Sequence, residues 1–160
     1  MELKAILGLG NEGSKYKNTY HNVGQLMVDF LLEKNILPEN IAILKNGGFM
    51  NESGNSGLKI FKKIGKDGNK FLVIHDDSDL NIGDYKISIN RGSAGHKGIQ
   101  DIINKIGTQD FWRLRIGIRP TDEKDGRMKA EEFVLKKIKK DDLEIFQKVF
   151  EEASLAITQF

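Results

Sequence analysis

One stretch decides the fold class: residues 71–77 read Phe71-Leu72-Val73-Ile74-His75-Asp76-Asp77, so that four apolar residues lead directly into polar ones. A continuous apolar run of this length is typical of a strand that is buried on both faces, as the strands of parallel sheets are. Such a sheet needs helices on both of its faces. We therefore expect an α/β protein in which this buried strand ends at a cluster of acidic residues.

The rest of the chain alternates short strand-like runs with segments of helical periodicity. The strand-like runs cover residues 3–9, 41–44, 85–89 and 114–119. Helical spacing predicts helices over residues 23–35, 58–64, 99–106, 131–138 and 141–157. Asn22 is the candidate N-cap of the first helix. This order predicts an α/β fold in a single domain, residues 1–160, with a mixed, mostly parallel sheet flanked by helices on both faces.

Composition narrows the class of protein further. The 160 residues, of which 39% are hydrophobic, suffice for one core but divide poorly into two. No apolar run approaches the roughly 18 residues that span a bilayer, and the opening MELK lacks the order of a secretory signal. The absence of cysteine excludes disulfides, thiolate metal ligands and a cysteine nucleophile. We expect a soluble, cytoplasmic protein with no membrane partner.

The net charge of +2 conceals an uneven distribution along the chain. Basic and acidic residues cancel over residues 1–80, sum to +6 over residues 81–140 and sum to −4 over residues 141–160. A basic middle segment can attract phosphate groups, although runs of charge are more often solvated faces. Charge alone therefore leaves nucleic-acid binding open.

Residues 8–13, GLGNEG, formally match the glycine pattern of dinucleotide-binding proteins. In that pattern the helix opens within the glycines, so that its N-terminus meets the pyrophosphate. Here a polar loop continues to residue 22 before helical periodicity begins. The sequence therefore disfavours a nicotinamide or flavin cofactor, and the glycines are explained equally well by a tight turn.

Three separated polar segments are expected to meet at one edge of the sheet, because ligands bind beyond the carboxyl ends of parallel strands. They carry Asn11 and His21, then Asn51, then Asp76. Asp76 can hold one ring nitrogen of His21, which leaves the other free to take a proton from water. Asn11 and Asn51 can donate to a carbonyl and to the oxyanion formed when water attacks it, unless they serve only as loop caps.

The acidic cluster offers another interpretation, a site for a hard cation. Its candidate ligands are His75, Asp76, Asp77 and Asp79. Adjacent residues of an extended segment point in opposite directions, so these side chains cannot all face one ion. No second acidic cluster in the sequence completes a coordination shell. The sequence therefore predicts no metal.

A glycine-rich segment, residues 92–98, precedes the helix predicted at residues 99–106. Free backbone amides at such a position favour an anion. The basic residues around it in sequence are Lys86, Lys97, Arg113, Arg115 and Arg119. These residues could extend an anion site along a nucleic-acid backbone, or they could be exposed cations beside an ordinary turn.

Four blocks of sequence, in order, resemble the signatures of the bacterial peptidyl-tRNA hydrolase family. The first is Gly8-Leu9-Gly10-Asn11 followed by Tyr16, Thr19, His21 and Asn22, and the second is Phe49-Met50-Asn51 with Ser53-Gly54. The third is His75-Asp76-Asp77 with Asp79-Leu80 and Gly83. The fourth is Gly95-His96 with Gly98, then Phe111, Arg113-Leu114-Arg115-Ile116-Gly117-Ile118 and Pro120. The match covers most of the chain, and four ordered blocks are far more specific than one motif.

The resemblance implies a monomeric α/β enzyme, without cofactor, whose partner is peptidyl-tRNA. It would cleave the ester between the peptide and the 3′-terminal ribose and so recycle tRNA from abandoned translation. Carried over by position, His21 is the general base, Asp76 its orienting partner and Asn11 a catalytic amide. The implied substrate-binding residues are Tyr16, Met50, Asn51, His96 and Lys97, and the implied tRNA-phosphate-binding residues are Lys86, Arg113 and Arg115.

Three positions depart from the family pattern, which usually has proline at Glu12, a basic residue at Tyr20 and asparagine at Lys97. The asparagine is expected to bind substrate or the attacking water, whereas a lysine offers donors but no acceptor. Lys97 could instead contact the tRNA or perturb His21 by repulsion. An alternative from another class is a non-catalytic RNA-binding paralogue, although a pure binder has little need of His21 together with Asp76.

Overall fold

A computed structural model describes residues 2–122 and 127–160. Within these ranges the strands of one sheet are β1 (Ala5–Gly8), β2 (Ala42–Lys45), β3 (Phe71–Asn81), β4 (Tyr85–Ile89) and β5 (Trp112–Arg119). The α-helices are α1 (Val23–Lys34), α2 (Ser53–Lys63), α3 (Lys97–Ile106) and α4 (Lys140–Ile157). The strand order is β2-β1-β3-β5-β4; β4 pairs antiparallel with β5, and the other described pairs are parallel. The predicted α/β fold with a mixed, mostly parallel sheet is confirmed.

Apolar side chains cover both faces of the sheet, as the alternation along β1 shows. Ile6 belongs to a core cluster with Met27 of α1 and Phe150 of α4. Leu7 points to the opposite face and belongs to a second cluster with Ile102 of α3 and the apolar face of α2. The prediction of helices on both faces is therefore confirmed. In the described part of the chain, no helix combines the length and the apolar character that crossing a membrane requires.

β3 continues beyond the end predicted from its apolar run. We expected the strand to stop at the acidic cluster, but it extends to Asn81 because β5 goes on pairing with it, with Asp76 opposite Ile116. On the other side of β3, β1 stops earlier, with Gly8 opposite Ile74. Asp76 therefore lies within a strand whose edge on the β1 side is open, and the expectation that the strand ends at the acidic cluster is wrong.

α2 begins at Ser53, five residues before the predicted start at residue 58. Gly54 and Gly57 are poor helix formers, which is why the pattern suggested a loop. Packing against α3 explains why glycine occupies these positions. A Cβ on Gly54 would come within 2.5 Å of the Asp101 carbonyl oxygen, and one on Gly57 within 3.1 Å of Ile102. The glycines let α2 lie close against α3. The helix propensity of single residues cannot indicate such a contact.

The helix predicted at residues 131–138 is wrong. Only a 3₁₀ turn, Ala130–Glu132, forms there among the described residues. The following backbone bonds to the loop that precedes α1: Val134 O accepts from His21 N at 2.8 Å, and Ile138 N donates to Asn18 O at 2.8 Å. A helix would use these same groups within itself, so this tertiary pairing replaces it.

Candidate active site

A cleft with a volume of about 510 Å³ opens where β2 and β3 lie on opposite sides of β1. Open α/β sheets bind their ligands at such a switch point, beyond the carboxyl ends of the strands. The predicted residues that line the cleft are Asn11, His21, Met50, Asn51, Asp76, His96 and Lys97. The three polar segments expected to converge therefore do so.

His21 lies in a 3₁₀ turn, Tyr20–Asn22, directly before α1. Besides the bond from His21 N to Val134 O, the turn is anchored by the buried Tyr20, whose hydroxyl donates to Asp142 Oδ2 of α4 at 2.5 Å. Burial and the Asp142 carboxylate raise the pKa of Tyr20 to about 12, so the phenol keeps its proton. The turn that presents His21 is thus held by two segments from late in the chain.

His21 and Asp76 form a close pair, with Nδ1 and Oδ2 separated by 2.7 Å. The Asp76 side chain is 2% exposed and the His21 side chain 15% exposed. An ionised carboxylate can only accept, so the imidazole proton lies on Nδ1. The other nitrogen, Nε2, then carries the lone pair that a general base needs.

The charges of this pair are set by opposing effects. Burial alone lowers the pKa of His21, and the Lys97 charge also lowers it, but the charge and hydrogen bond of Asp76 outweigh both, and the pKa is raised above its ordinary value. Burial alone raises the pKa of Asp76, but charge and hydrogen bonds from His21 and His96 bring it well below its usual range. Asp76 therefore stays ionised while His21 titrates.

His96 contacts the second oxygen of the same carboxylate. Its Nε2 lies 2.7 Å from Asp76 Oδ1, and its ring centroid lies 5.4 Å from that of His21. His96 is also the N-cap of α3, where its Nδ1 accepts the Ile99 N–H at 3.2 Å. The sequence predicted that His96 binds substrate but gave no indication of the bond to Asp76. The only related signal is the position of His96 at the start of a helix, after a glycine-rich turn.

His75 completes a contiguous group of three imidazoles. Its ring packs edge-on against His96 with centroids 4.8 Å apart, and its Nδ1–H donates to the Asp76 carbonyl at 2.7 Å. Burial above all, with unfavourable electrostatic interactions with the neighbouring His96 and Arg113, lowers the pKa of His75 well below its ordinary value. His75 is therefore a neutral packing partner beneath the pair.

A metal is the other ligand to consider, since His21, Asp76 and His96 bring their ligand atoms within 4.8 Å of one another. Two ligands of one tetrahedral zinc ion, each about 2.0–2.1 Å from it, lie about 3.3 Å apart. The 2.7 Å separations here are those of hydrogen bonds. Asp77 and Asp79, the remaining candidates, instead pair with Arg115 and Arg127.

Asn11 presents one defined group to the cleft. Its Oδ1 accepts the Met50 N–H at 2.7 Å, so its Nδ2–H₂ is left to donate. The Asn22 side chain bonds both backbone groups of Asn11, at 2.8 and 2.9 Å. Asn46 holds both backbone groups of Gly10 in the same way. Asn22 occupies the N-cap position of α1, as predicted, but its side chain fixes the loop instead of bonding to the helix backbone.

The other predicted substrate-binding residues differ in their exposure. Met50 is buried in the cleft wall, while Asn51 and Lys97 are exposed at its rim. Tyr16 lies outside the set of described residues that line the cleft, and it packs edge-on against Phe49 with ring centroids 6.2 Å apart. Tyr16 and Phe49 thus form an aromatic pair beside the rim.

The predicted phosphate-binding residues lie next to the cleft, on the same sheet. A second pocket, of about 300 Å³, is lined by His75, Asp77, Arg91, Arg113 and Arg115, and we call it the arginine pocket. Lys86 is exposed on β4, opposite Arg115 in the strand register. Since His75 and Asp77 line both cavities, the two regions are adjacent.

The two predicted arginines of this pocket differ in accessibility. Arg115 donates to Asp77 Oδ2 at 2.8 Å and is 16% exposed, so it can still reach a ligand. Arg113 is 2% exposed and donates to Gly92 O at 3.0 Å. Burial, together with the charges of Arg115 and Arg91, lowers the pKa of Arg113 to about 10. Phosphate binding by these residues stays a prediction.

One wall of the cleft was missed by the sequence reasoning. It consists of Ala130, Glu131, Val134 and Leu135. Three of these residues, Glu131, Val134 and Leu135, fell within the helix predicted at residues 131–138, Ala130 immediately precedes it, and no motif marks any of the four. Their position depends on the backbone pairing with the turn of His21, which local sequence does not reveal.

Comparisons with known proteins agree on one family. The family described as peptidyl-tRNA hydrolase matches residues 5–160. A peptidyl-tRNA hydrolase of Mycoplasma capricolum is 38% identical, over 99% of this chain and 92% of its own length. One from Hydrogenobaculum is 38% identical, over 95% of this chain and 87% of its own. The crystal structure of the Acinetobacter baumannii peptidyl-tRNA hydrolase is similar, with a TM-score of 0.79, 29% identity and coverage of 93% of this chain and 83% of that one.

Proposed function

The chain belongs to the peptidyl-tRNA hydrolase family, and from this premise we propose how its cleft carries out the reaction. The enzyme hydrolyses the ester that joins a peptide to tRNA in peptidyl-tRNA. The observation that carries the mechanism is the His21–Asp76 pair, whose 2.7 Å bond fixes the imidazole proton on Nδ1.

His21 Nε2 takes a proton from a water in the cleft, and the water oxygen attacks the ester carbonyl carbon. Asp76 stabilises the imidazolium that forms, as an acid partner does in other hydrolases. When the bond between the carbonyl carbon and the ribose 3′ oxygen breaks, the imidazolium returns its proton to that leaving oxygen. The products are a free peptide carboxylate and a tRNA with an intact 3′ hydroxyl.

The asparagines supply uncharged donors for this step. Asn11 Nδ2 is the free end of an amide whose oxygen is already used by Met50 N–H, so its direction is fixed. Such a preorganised donor can stabilise the oxyanion on the attacked carbonyl. Asn51, exposed at the rim, is suited to bind the peptide backbone, and Met50 to shape the peptide side of the cleft, with the Tyr16–Phe49 pair beside it.

The arginine pocket and the rim of the cleft bind the tRNA part of the substrate. Arg115 and Lys86 are neighbours across β4 and β5, and Arg113 lies beneath them. Lys97 lines the cleft together with His21 and is the first residue of α3. Cations so placed can neutralise phosphates near the 3′ end without entering the chemistry.

We also propose that residues 1–160 act as one domain and as a monomer. Both ends of the chain contribute to one core cluster, through Leu3 and Ile157. A tRNA substrate favours the cytoplasm as the site of action. A purely RNA-binding role is not favoured, since binding alone needs neither the base nor its partner.

The test is release of tRNA from an N-blocked aminoacyl-tRNA by purified protein, with and without chelator. We expect chelator-resistant release, and His21→Ala should lower kcat at least about 100-fold, since a general base contributes about 10²–10⁴-fold. Binding of tRNA should be nearly unchanged, because the base acts in the transition state. Lys148→Ala, an exposed change on α4, is the matched control. Equal loss of binding and cleavage in His21→Ala would contradict the assignment.

A further inference from the structure

Asp76 is held from two sides, although orienting the base needs only one bond. His21 Nδ1 occupies Oδ2 and His96 Nε2 occupies Oδ1, each at 2.7 Å. The carboxylate is 2% exposed, so both oxygens depend on these protein donors. A buried oxygen left without its donor is unfavourable, and the carboxylate would then move or admit water.

The orientation of His96 is fixed by α3. As the N-cap of that helix, His96 accepts the Ile99 N–H through Nδ1 at 3.2 Å. In a neutral ring this leaves the proton on Nε2, the atom that faces Asp76. The ring is therefore set by the helix to donate to Asp76 and has no ring nitrogen left over for substrate.

We propose that His96 is a positioning residue that acts through Asp76: it holds Oδ1, keeps Oδ2 aimed at His21 Nδ1, and draws negative charge away from Oδ2. The inference rests on the proposed role of His21 as the base. It replaces the direct substrate contact that the family resemblance implied for His96.

The pH dependence of the reaction depends on the groups that surround His21. The titratable groups around the cleft are His75, Asp76, Asp77 and Asp79 of β3, His96 and Lys97 at α3, and Glu131. Burial lowers the pKa of His21. Asp76 raises this pKa, and the charge of Lys97 lowers it. Without the His96 donor, Asp76 holds the His21 proton more strongly, so the pKa of His21 rises further. Less of the base is then free at neutral pH.

Two substitutions separate positioning from helix capping. The Gln side-chain nitrogen can reach the place of Nε2, so His96→Gln keeps the donor to Asp76 and gives up the N-cap. The Asn side-chain oxygen lies near the place of Nδ1 and is a good N-cap, so His96→Asn keeps the cap and gives up the donor. Both proteins are measured for Tm, for kcat and KM between pH 5 and 9, and for the NMR titration of His21 Cε1–H.

We expect His96→Asn to fold with a Tm near that of the wild type and to lose about tenfold in kcat, which corresponds to one hydrogen bond to a charged group. Its KM should be unchanged, and both its acid limb and its His21 titration should move to higher pH. His96→Gln should recover most of the kcat and the wild-type pH profile, despite a lower Tm.

A wild-type kcat and pH profile in His96→Asn would overturn the proposal, as would a higher KM in both variants, which indicates a direct substrate contact. Loss of activity in His96→Gln alone would assign His96 to capping and overturn it as well. The NMR titration needs no turnover, so it separates this proposal from the proposed base. If His21→Ala kept full activity, the base assignment would fail even where His96→Asn moved the His21 titration.

Discussion

Asp76 and Asp77 are neighbours on β3, yet they belong to two regions that use charge differently. In the cleft, Asp76 is bonded to two imidazoles, at 2.7 Å each. In the arginine pocket, Asp77 is bonded to the guanidinium of Arg115 at 2.8 Å. An imidazole gains and loses its proton near neutral pH, whereas a guanidinium keeps its charge. One region can therefore move a proton, and the other holds a permanent charge.

The alternation of side chains along a strand explains how one strand serves both regions. Successive residues of β3 point to opposite faces, so Asp76 faces the cleft, whereas Asp77, which lines both cavities, bonds to Arg115 in the arginine pocket. Pairing with β5 fixes this assignment, with Asp76 opposite Ile116 and Asp77 opposite Gly117. A shift of one residue in this register would exchange the two carboxylates. The alternation along β3 thus separates the carboxylate that orients His21 from the carboxylate that bonds to Arg115.

Among substitutions in the two regions, Asp76→Asn is expected to have the largest effect on kcat. An amide has one acceptor oxygen, but His21 and His96 both donate to this side chain, so one imidazole must change its tautomer or lose its bond. We expect kcat to fall about 10²–10⁴-fold, as when a general base is lost. Loss of the charge also lowers the pKa of His21, so the residual activity should extend to more acidic pH.

The matching control is Asp77→Asn, which changes the same functional group one residue along the strand. It should leave kcat within a few-fold of the wild type, since Asp77 does not contact His21 in the structure. Similar losses of kcat in both variants would mean that the two regions do not divide chemistry from binding.

A smaller effect is expected from Arg115→Gln, in the arginine pocket. Loss of one phosphate contact should weaken tRNA binding, reduce the slope of log Kd against log salt by about 1, and leave the pH profile of kcat unchanged. The double variant Arg115→Gln with Asp77→Asn controls for the carboxylate that the single change leaves unpaired. A fall in kcat with unchanged KM would contradict the assignment of Arg115 to binding.

The smallest effect is expected from Lys97→Asn, at the rim of the cleft. The Lys97 charge lowers the pKa of His21, so its removal should raise that pKa and move the acid limb of the rate to higher pH. Above that limb, activity should be equal to or higher than that of the wild type, by less than about fivefold, since exposed charges interact with less than about 1 kcal/mol. A collapse of turnover above the acid limb would show that Lys97 takes part in the chemistry.

Much of the fold could be predicted because the relevant signals are local. The apolar run of residues 71–74, the alternation in residues 85–89 and the stripe on α4 each correspond to a real element. What failed depended on distant partners. β3 extends because β5 pairs with it, α2 starts early because its glycines fit against α3, and residues 134–138 pair with the turn of His21 instead of forming a helix.

The candidate site shows the same division. Motif position sufficed to bring Asn11, His21 and Asp76 together, and the structure places all three in one cleft. The bond between His96 and Asp76 joins residues 20 positions apart, so no periodicity reports it. The orientation of Asn11 likewise depends on the Met50 backbone, 39 residues away. Sequence thus indicated which residues meet, and the structure determined which atoms are left to act.

The anchors of the histidine turn have a consequence for the order in which the protein is made. His21 leaves the ribosome early, but the groups that hold its turn, from Val134 to Asp142, leave it late. Until then the growing chain is itself a peptide esterified to tRNA, a member of the class of molecules that the finished enzyme destroys. The nascent chain therefore completes the anchoring of its own histidine turn only after Asp142 has emerged, 122 positions after Tyr20, and cannot act on such an ester before then.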